Sequence, residues 1–162
     1  MFGIKNYEPI FYSNYNEFIK EHGEGLRRLK GSPLEAIITV HNANDGEFWS
    51  DCPVILVIGG IQLEFCTFKD CVSVTWDEID MNERLDWYGS QNLQLEWQKN
   101  IVENVTSMIG KKIEEVEIIE ASPGILHGIG FQIGANYVSI FNALDETGFA
   151  YVKDEGFAYT KL

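Results

Sequence analysis

The chain has 162 residues, 45% of them hydrophobic and 23% charged, enough for one domain with its own core and too apolar to stay disordered. It carries 25 acidic and 12 basic side chains, a formal net charge of -13, which excludes broad contact with nucleic-acid backbone or an anionic lipid surface. The longest apolar stretch, Val54 to Ile61, is too short to span a bilayer, and Met1 to Glu8 shows no basic region leading into an apolar run. With an odd set of cysteines (Cys52, Cys66 and Cys71) and no paired framework, a cytoplasmic protein away from membranes is expected.

Asn14 with Glu17 three residues on predicts a helix start, and Tyr15, Phe18, Ile19, His22, Leu26 and Leu29 recur at helical spacing. Gly23 and Gly25 weaken the middle and predict two short pieces; Gly31 and Pro33 end the helix. Leu34 to His41 reads as a strand and Asn42 to Asp51 as a polar loop. Val54 to Ile58 is apolar on both faces, which predicts a central strand covered twice. Gly59-Gly60 marks a hairpin, after which Ile61, Leu63 and Phe65 alternate with Gln62 and Glu64, a half-buried strand. Lys69-Asp70 turns the chain into a strand from Cys71 to Trp76.

Residues 77–92 are acidic and aromatic without a clean period and read as a long loop. Trp97, Ile101, Val105, Met108 and Ile109 form a helical stripe, so a helix is expected from Lys99 to Gly110, although Leu93 to Trp97 alternates like a strand. Ile113 to Ile119, Ile125 to Ile133 and Tyr137 to Phe141 read as strands joined by turns at Ser122-Pro123-Gly124 and Gly134-Ala135-Asn136. In the second of these, Ile125, His127, Ile129, Phe131 and Ile133 are expected on one apolar face, with a hydrogen-bonded imidazole at His127. Leu126, Gly128, Gly130 and Gln132 would face the other way, and the two glycines predict bending or close packing by another element. Short strands are expected near 149–152 and 157–160.

The halves look alike. Gly31-Ser32-Pro33-Leu34 resembles Gly110-Lys111-Lys112-Ile113, each after an expected helix and before a strand, and Val72-Ser73-Val74 matches Val138-Ser139-Ile140. Extra residues in the first half are assigned to the 42–51 loop. The expected architecture is a single α+β domain, 1–162. It comprises two similar halves, each a helix plus an antiparallel meander, arising by internal duplication (pseudo-repeats 14–80 and 98–145) and sharing one core, because one such meander alone buries a single face and is marginal.

No motif carries a reaction. His22, His41 and His127 have no Cys, Asp or Glu at metal-ligand spacing, so no metal is expected. There is no nucleophile elbow, and Gly128-Ile129-Gly130 lies in a strand and opens no phosphate loop, so no catalytic residue and no cofactor is assigned. What stands out is charge. Residues 1–33 hold five basic and four acidic side chains, whereas the run Asp77 to Asp86 holds five acids and one base, between Trp76 and Trp87. Trp76, Asp77, Glu78, Asp80, Glu83, Asp86, Trp87 and Tyr88 are therefore the candidate interface: aromatic rings anchor, carboxylates steer and pair with Arg or Lys.

In general character, acidic and single-domain with motif-free meanders, the chain resembles small bacterial proteins of unknown function, including immunity proteins of toxin systems. The resemblance implies a non-catalytic protein that binds and blocks a basic protein partner, often a nuclease; it carries over no individual residue. Two other readings stay open: a carboxylate-dependent enzyme acting on a small or sugar substrate, and a structural module that forms a homodimer.

Overall fold

The computed structural model describes residues 1–90 and 92–162. The chain is α+β: the described residues form one α-helix, α1 (Tyr15–Arg28), and ten strands in two five-stranded antiparallel sheets. The first sheet contains β1 (Leu34–Asn42), β2 (Val54–Ile58), β3 (Ile61–Phe68), β4 (Cys71–Trp76) and β5 (Leu95–Lys99), in the order β4-β3-β2-β1-β5. The second contains β6 (Ile113–Ser122), β7 (Ile125–Ile133), β8 (Asn136–Asn142), β9 (Thr147–Ala150) and β10 (Ala158–Lys161), in the order β10-β6-β7-β8-β9. No helix among the described residues is long and apolar enough to cross a membrane.

The sheets pack through their inner faces. Leu56, Phe65 and Val74 from the first meet Val116, Phe131 and Val138 from the second in one core, with Phe18 and Leu26 of α1 against it. β2 is covered twice, as its sequence requires: Val54, Leu56 and Ile58 face that core, while Ile55 lies in a second cluster on the outer face of the first sheet. The second cluster is built by Phe2, Ile4 and Tyr7 of the N-terminal segment with Ile79 and Leu85. Residues 77–90 thus leave the β4 edge and cover the outer face of the first sheet, and residues 92–94 lead into β5 at the other edge. Gln91, within the expected 77–92 loop, lies outside the described residues.

α1 is one continuous helix rather than two pieces. Asn14 Oδ1 accepts from the N–H groups of Asn16 and Glu17, 2.9 and 3.2 Å away. Gly25 makes room for the Trp76 indole, since a Cβ there would stand 2.9 Å from its ring. The helix expected over 99–110 is absent: β5 occupies its start, and one 3-10 turn, Val105–Ser107, places Val105 and Met108 in the core. A single tight turn reproduces the apolar spacing that suggested a longer helix.

The two sheets share strand order and pairing. Leu34 pairs with Ile58 and the register then shifts to Ala36 with Val57; likewise Ile113 pairs with Ile133 and shifts to Glu115 with Gln132. Glu64 faces Thr75 as Ser139 faces Ala150, and Ile38 faces Lys99 as Glu117 faces Lys161. Where the halves meet, Gly31 N donates to Ile113 O (2.8 Å) and Gly110 N to Leu34 O (2.7 Å); Leu34 N donates to Lys111 O (2.9 Å) and Ile113 N to Ser32 O (2.8 Å). These reciprocal bonds join the segments whose sequences look alike. The strand order sets β3 against β8 and β4 against β9, so the likeness of Val72–Val74 to Val138–Ile140 does not follow it. The sheets also run past the expected boundaries, the second through Lys161. Most of the extra length in the first half lies in the crossover 77–94, against 151–157 in the second, rather than in the 42–51 loop.

Two side chains depart from simple alternation. Between Ile119–Gly128 and Glu120–Leu126 the pairing shifts and leaves His127 unpaired. Leu126 joins the core, while His127 stacks between Phe141 and Phe157, ring centroids 5.2 and 4.3 Å away, instead of sharing a face with Ile129. Glu64, expected on the polar face of a half-buried strand, is fully buried. Gly128 and Gly130 permit close packing: a Cβ at Gly128 would strike the Ile140 carbonyl of β8, and one at Gly130 the Tyr137 hydroxyl. Gly128→Ala must displace neighbouring backbone, so urea unfolding should show a loss of about 2 kcal/mol.

Candidate functional site

The acidic-aromatic run is spread out: Trp76 and Glu78 lie at one place, Trp87 and Tyr88 at another, and Asp77, Asp80 and Glu83 between them. Trp76 and Glu78 line a cleft of about 280 Å³ between β4, α1 and the N-terminal segment, together with Glu8, Tyr12, Glu21 and His22. The Trp76 indole is half-buried and its Nε1 donates to His22 Nδ1 over 3.3 Å, so the imidazole is an acceptor there. Burial lowers the His22 pKa and favours the neutral ring that this bond requires. Burial and then the neighbouring Glu64 raise the Glu78 carboxyl above its usual range.

Between the two places the charges are partly spent on the chain itself. Glu83 pairs with Lys5 at 2.9 Å. Asp80 Oδ1 accepts from the backbone and side-chain N–H groups of Asn82, both at 2.9 Å, which lowers its pKa. Asp77 is exposed and its carboxylate accepts the Gln62 N–H at 2.9 Å. These contacts fix the crossover on the sheet.

Trp87 and Tyr88 lie at the other end, by the β3–β4 turn. Trp87 packs edge-on against Trp49 and Tyr88, with centroids 5.6 and 5.2 Å apart. With Phe2, Asp51, Phe68 and Asp145 they line a hollow of about 160 Å³. Asp86, next in sequence, is exposed and accepts the Gly89 N–H. Tyr88 is 75% exposed and Phe68 42%, and Leu144, beside Asp145, is 94% exposed. The turn that carries Leu144 and Asp145 is clamped to the first sheet. Asp145 accepts the Lys69 N–H, Asn142 Nδ2 donates to the Cys71 carbonyl at 3.2 Å, and Thr147 N donates to Ser50 O at 2.9 Å.

This pole gathers carboxylates that the sequence run does not contain. Burial, then Glu146 and Asp145, push the Asp51 carboxyl above its usual range. Among the described residues no ion pair reaches Asp51, Asp145 or Glu146. The folded chain therefore holds a proton at Asp51 more tightly than the unfolded chain does. Stability falls as pH rises from the ordinary aspartate value through the raised one, and the penalty is complete above it. Asp51→Asn should melt above wild type at about pH 7, with the gap closing toward about pH 4. Equal melting temperatures at both pH values would show that the fold does not raise the Asp51 carboxyl.

Cys52, Cys66 and Cys71 are free thiols, and burial pushes the Cys66 thiol up to about 12. Among the described residues no group of three or more His, Cys, Asp or Glu side chains is placed to hold a metal ion. The aromatic run was legible in sequence, but Asp51, Asp145, Glu146, Glu8 and Glu21 reach the two poles from separate segments and carry no local signal. No family model matches the chain, nor does any curated protein or solved structure.

Proposed function

We propose that the chain is a non-catalytic binding protein that docks onto a basic protein through the pole around Trp87 and Tyr88. The observation that carries this reading is the exposed Tyr88 and Phe68 sharing a hollow with Asp51 and Asp145, which no cation pairs among the described residues. Asp145 serves the turn through the Lys69 N–H, but neither it nor Asp51 pairs with a cation among the described residues, and an arriving Arg or Lys would supply one. Tyr88 and Phe68 supply apolar area for the anchor, and the net charge of -13 steers a cation toward the chain. Neutralising a basic toxin, as the immunity-like character suggests, is the finer form of this reading, and the odd cysteine count supports a reducing, cytoplasmic setting. The matched order and register of the sheets support an internal duplication as the origin of the scaffold.

Affinity capture on the immobilised chain tests this. A basic protein should be retained at ~50 mM salt and released by ~500 mM, where the Debye length falls to a few ångströms. Capture that ignores salt, or that selects acidic or neutral proteins, would overturn it.

A further inference from the structure

We propose that the cavity on the outer face of the second sheet is a binding site for a small neutral aromatic molecule, of the size of one phenol or indole ring system. This goes beyond the docking reading and does not depend on it. The cavity measures about 390 Å³, and its walls include Ile119, His127, Phe141, Ala150, Val152 and Phe157. That volume is within the range of small-molecule sites.

The matched register of the sheets indicates the occupant. Phe141 and Ala150 of the second sheet stand where Cys66 and Thr75 stand in the first: Cys66 faces Ser73 as Phe141 faces Gly148, and Glu64 faces Thr75 as Ser139 faces Ala150. In the first sheet that spot is filled. The Tyr7 ring is fully buried over it, its hydroxyl 3.1 Å from Thr75 Oγ1 and 3.6 Å from Cys66 Sγ, and Phe2 packs beside Tyr7. The outer face of the second sheet has the short crossover 151–157 as its cover. Lys153 of that crossover lies over the rings of Tyr137 and Tyr159, 5.2 and 5.1 Å from their centroids, and pairs with the buried Glu117 at 2.6 Å. The crossover is therefore held to one side, and the position that takes an aromatic ring in the first sheet remains an apolar hollow in the second.

The polar lining selects further. Ser139 Oγ donates to Ala150 O at 3.4 Å, Asn142 Nδ2 to Cys71 O at 3.2 Å, and Asp154 Oδ1 accepts the Gly156 N–H at 2.7 Å. His127 differs: its Nε2 is buried with no hydrogen-bond partner. The imidazole and the Phe141 and Phe157 rings that flank it offer an aromatic occupant stacking and apolar contact rather than a charge. Asp154 is the one charged side chain in the lining, so an anionic aromatic acid is disfavoured.

Titration of the ¹⁵N-labelled full chain with p-cresol, followed by ¹H–¹⁵N NMR, tests the site. Saturable shifts are expected at the amides of His127, Gly148, Ala150, Val152 and Phe157, with a Kd of ~1 mM as suits a fragment of this size. Ala150→Phe, which fills the hollow from β9, should weaken binding at least ~10-fold, the loss expected when the contact area is taken. The wild-type shift map stands on its own should that variant misfold. No saturable shift, shifts confined to other faces, or unchanged affinity in a folded Ala150→Phe would overturn the site. Equal binding of cyclohexanol would overturn the aromatic class. Tighter binding of a synthetic peptide of residues 1–12 than of p-cresol would give the hollow to a protein segment and overturn it as a small-molecule site.

Discussion

Glu64→Ala should lower stability by about 4 kcal/mol and the melting temperature by about 10 °C, a loss as large as that of truncating a core aromatic. Glu64 is fully buried on β3 and its carboxylate takes four hydrogen bonds. Gln62 Nε2 donates at 2.6 Å and Thr75 Oγ1 at 2.6 Å, and the backbone N–H groups of Glu78 and Ile79 donate at 2.9 and 3.3 Å. The last two are the start of the crossover that carries the acidic run. Removing the acceptor strands these donors where water has poor access, and each buried orphan costs about 1–3 kcal/mol. Glu64→Gln keeps one carbonyl acceptor and should cost about 1–2 kcal/mol. Urea unfolding and thermal melting measure the losses, and hydrogen exchange at the Glu78 and Ile79 amides should accelerate in both variants. Wild-type melting of Glu64→Ala would show that the crossover is anchored by something else.

Glu64 also shows where reading the sequence stops. The alternation of Ile61, Leu63 and Phe65 with Gln62 and Glu64 places the strand and its inner face correctly, because period-2 burial is a local property. It cannot show that Tyr7 and residues 77–90 return to cover the outer face, since both come from distant parts of the chain. The same limit applies at His127, where one unpaired residue in β7 moves the ring to the other face, and over 99–110, where a 3-10 turn produces helical spacing. Elements bounded by two-residue turns were legible to within a few residues: Gly59-Gly60 fixes β2 and β3, and Lys69-Asp70 fixes β4. Of the acidic-aromatic run, Trp87 and Tyr88 fall in the hollow beside Asp51, while the carboxylates around Asp51 are brought there by the fold from the 143–146 turn and leave no local signal.

On the proposed docking, Tyr88→Ala should weaken binding of a basic partner about 10- to 100-fold while leaving the melting temperature near wild type, because the ring is exposed and not core. The triple variant Asp51→Asn, Asp145→Asn, Glu146→Gln should act differently. It removes steering, so its main effect is a roughly 10-fold slower association at low salt that fades as salt rises. Each amide keeps an acceptor oxygen, so the Lys69 N–H at Asp145 stays bonded and the turn stays clamped. Leu144 separates binding from folding most clearly. It sits at φ 58, a left-handed conformation that a bulky side chain rarely adopts, and it is almost fully exposed. Leu144→Gly relieves that strain and should raise stability by about 0.5–1 kcal/mol. If the leucine is held outward as part of the contact, the same change should weaken partner binding, giving opposite signs in calorimetry and in surface plasmon resonance. A leucine kept only by the turn would give the gain in stability without the loss in affinity. Wild-type kinetics in both Tyr88→Ala and the triple variant at low salt would remove this pole as the docking surface.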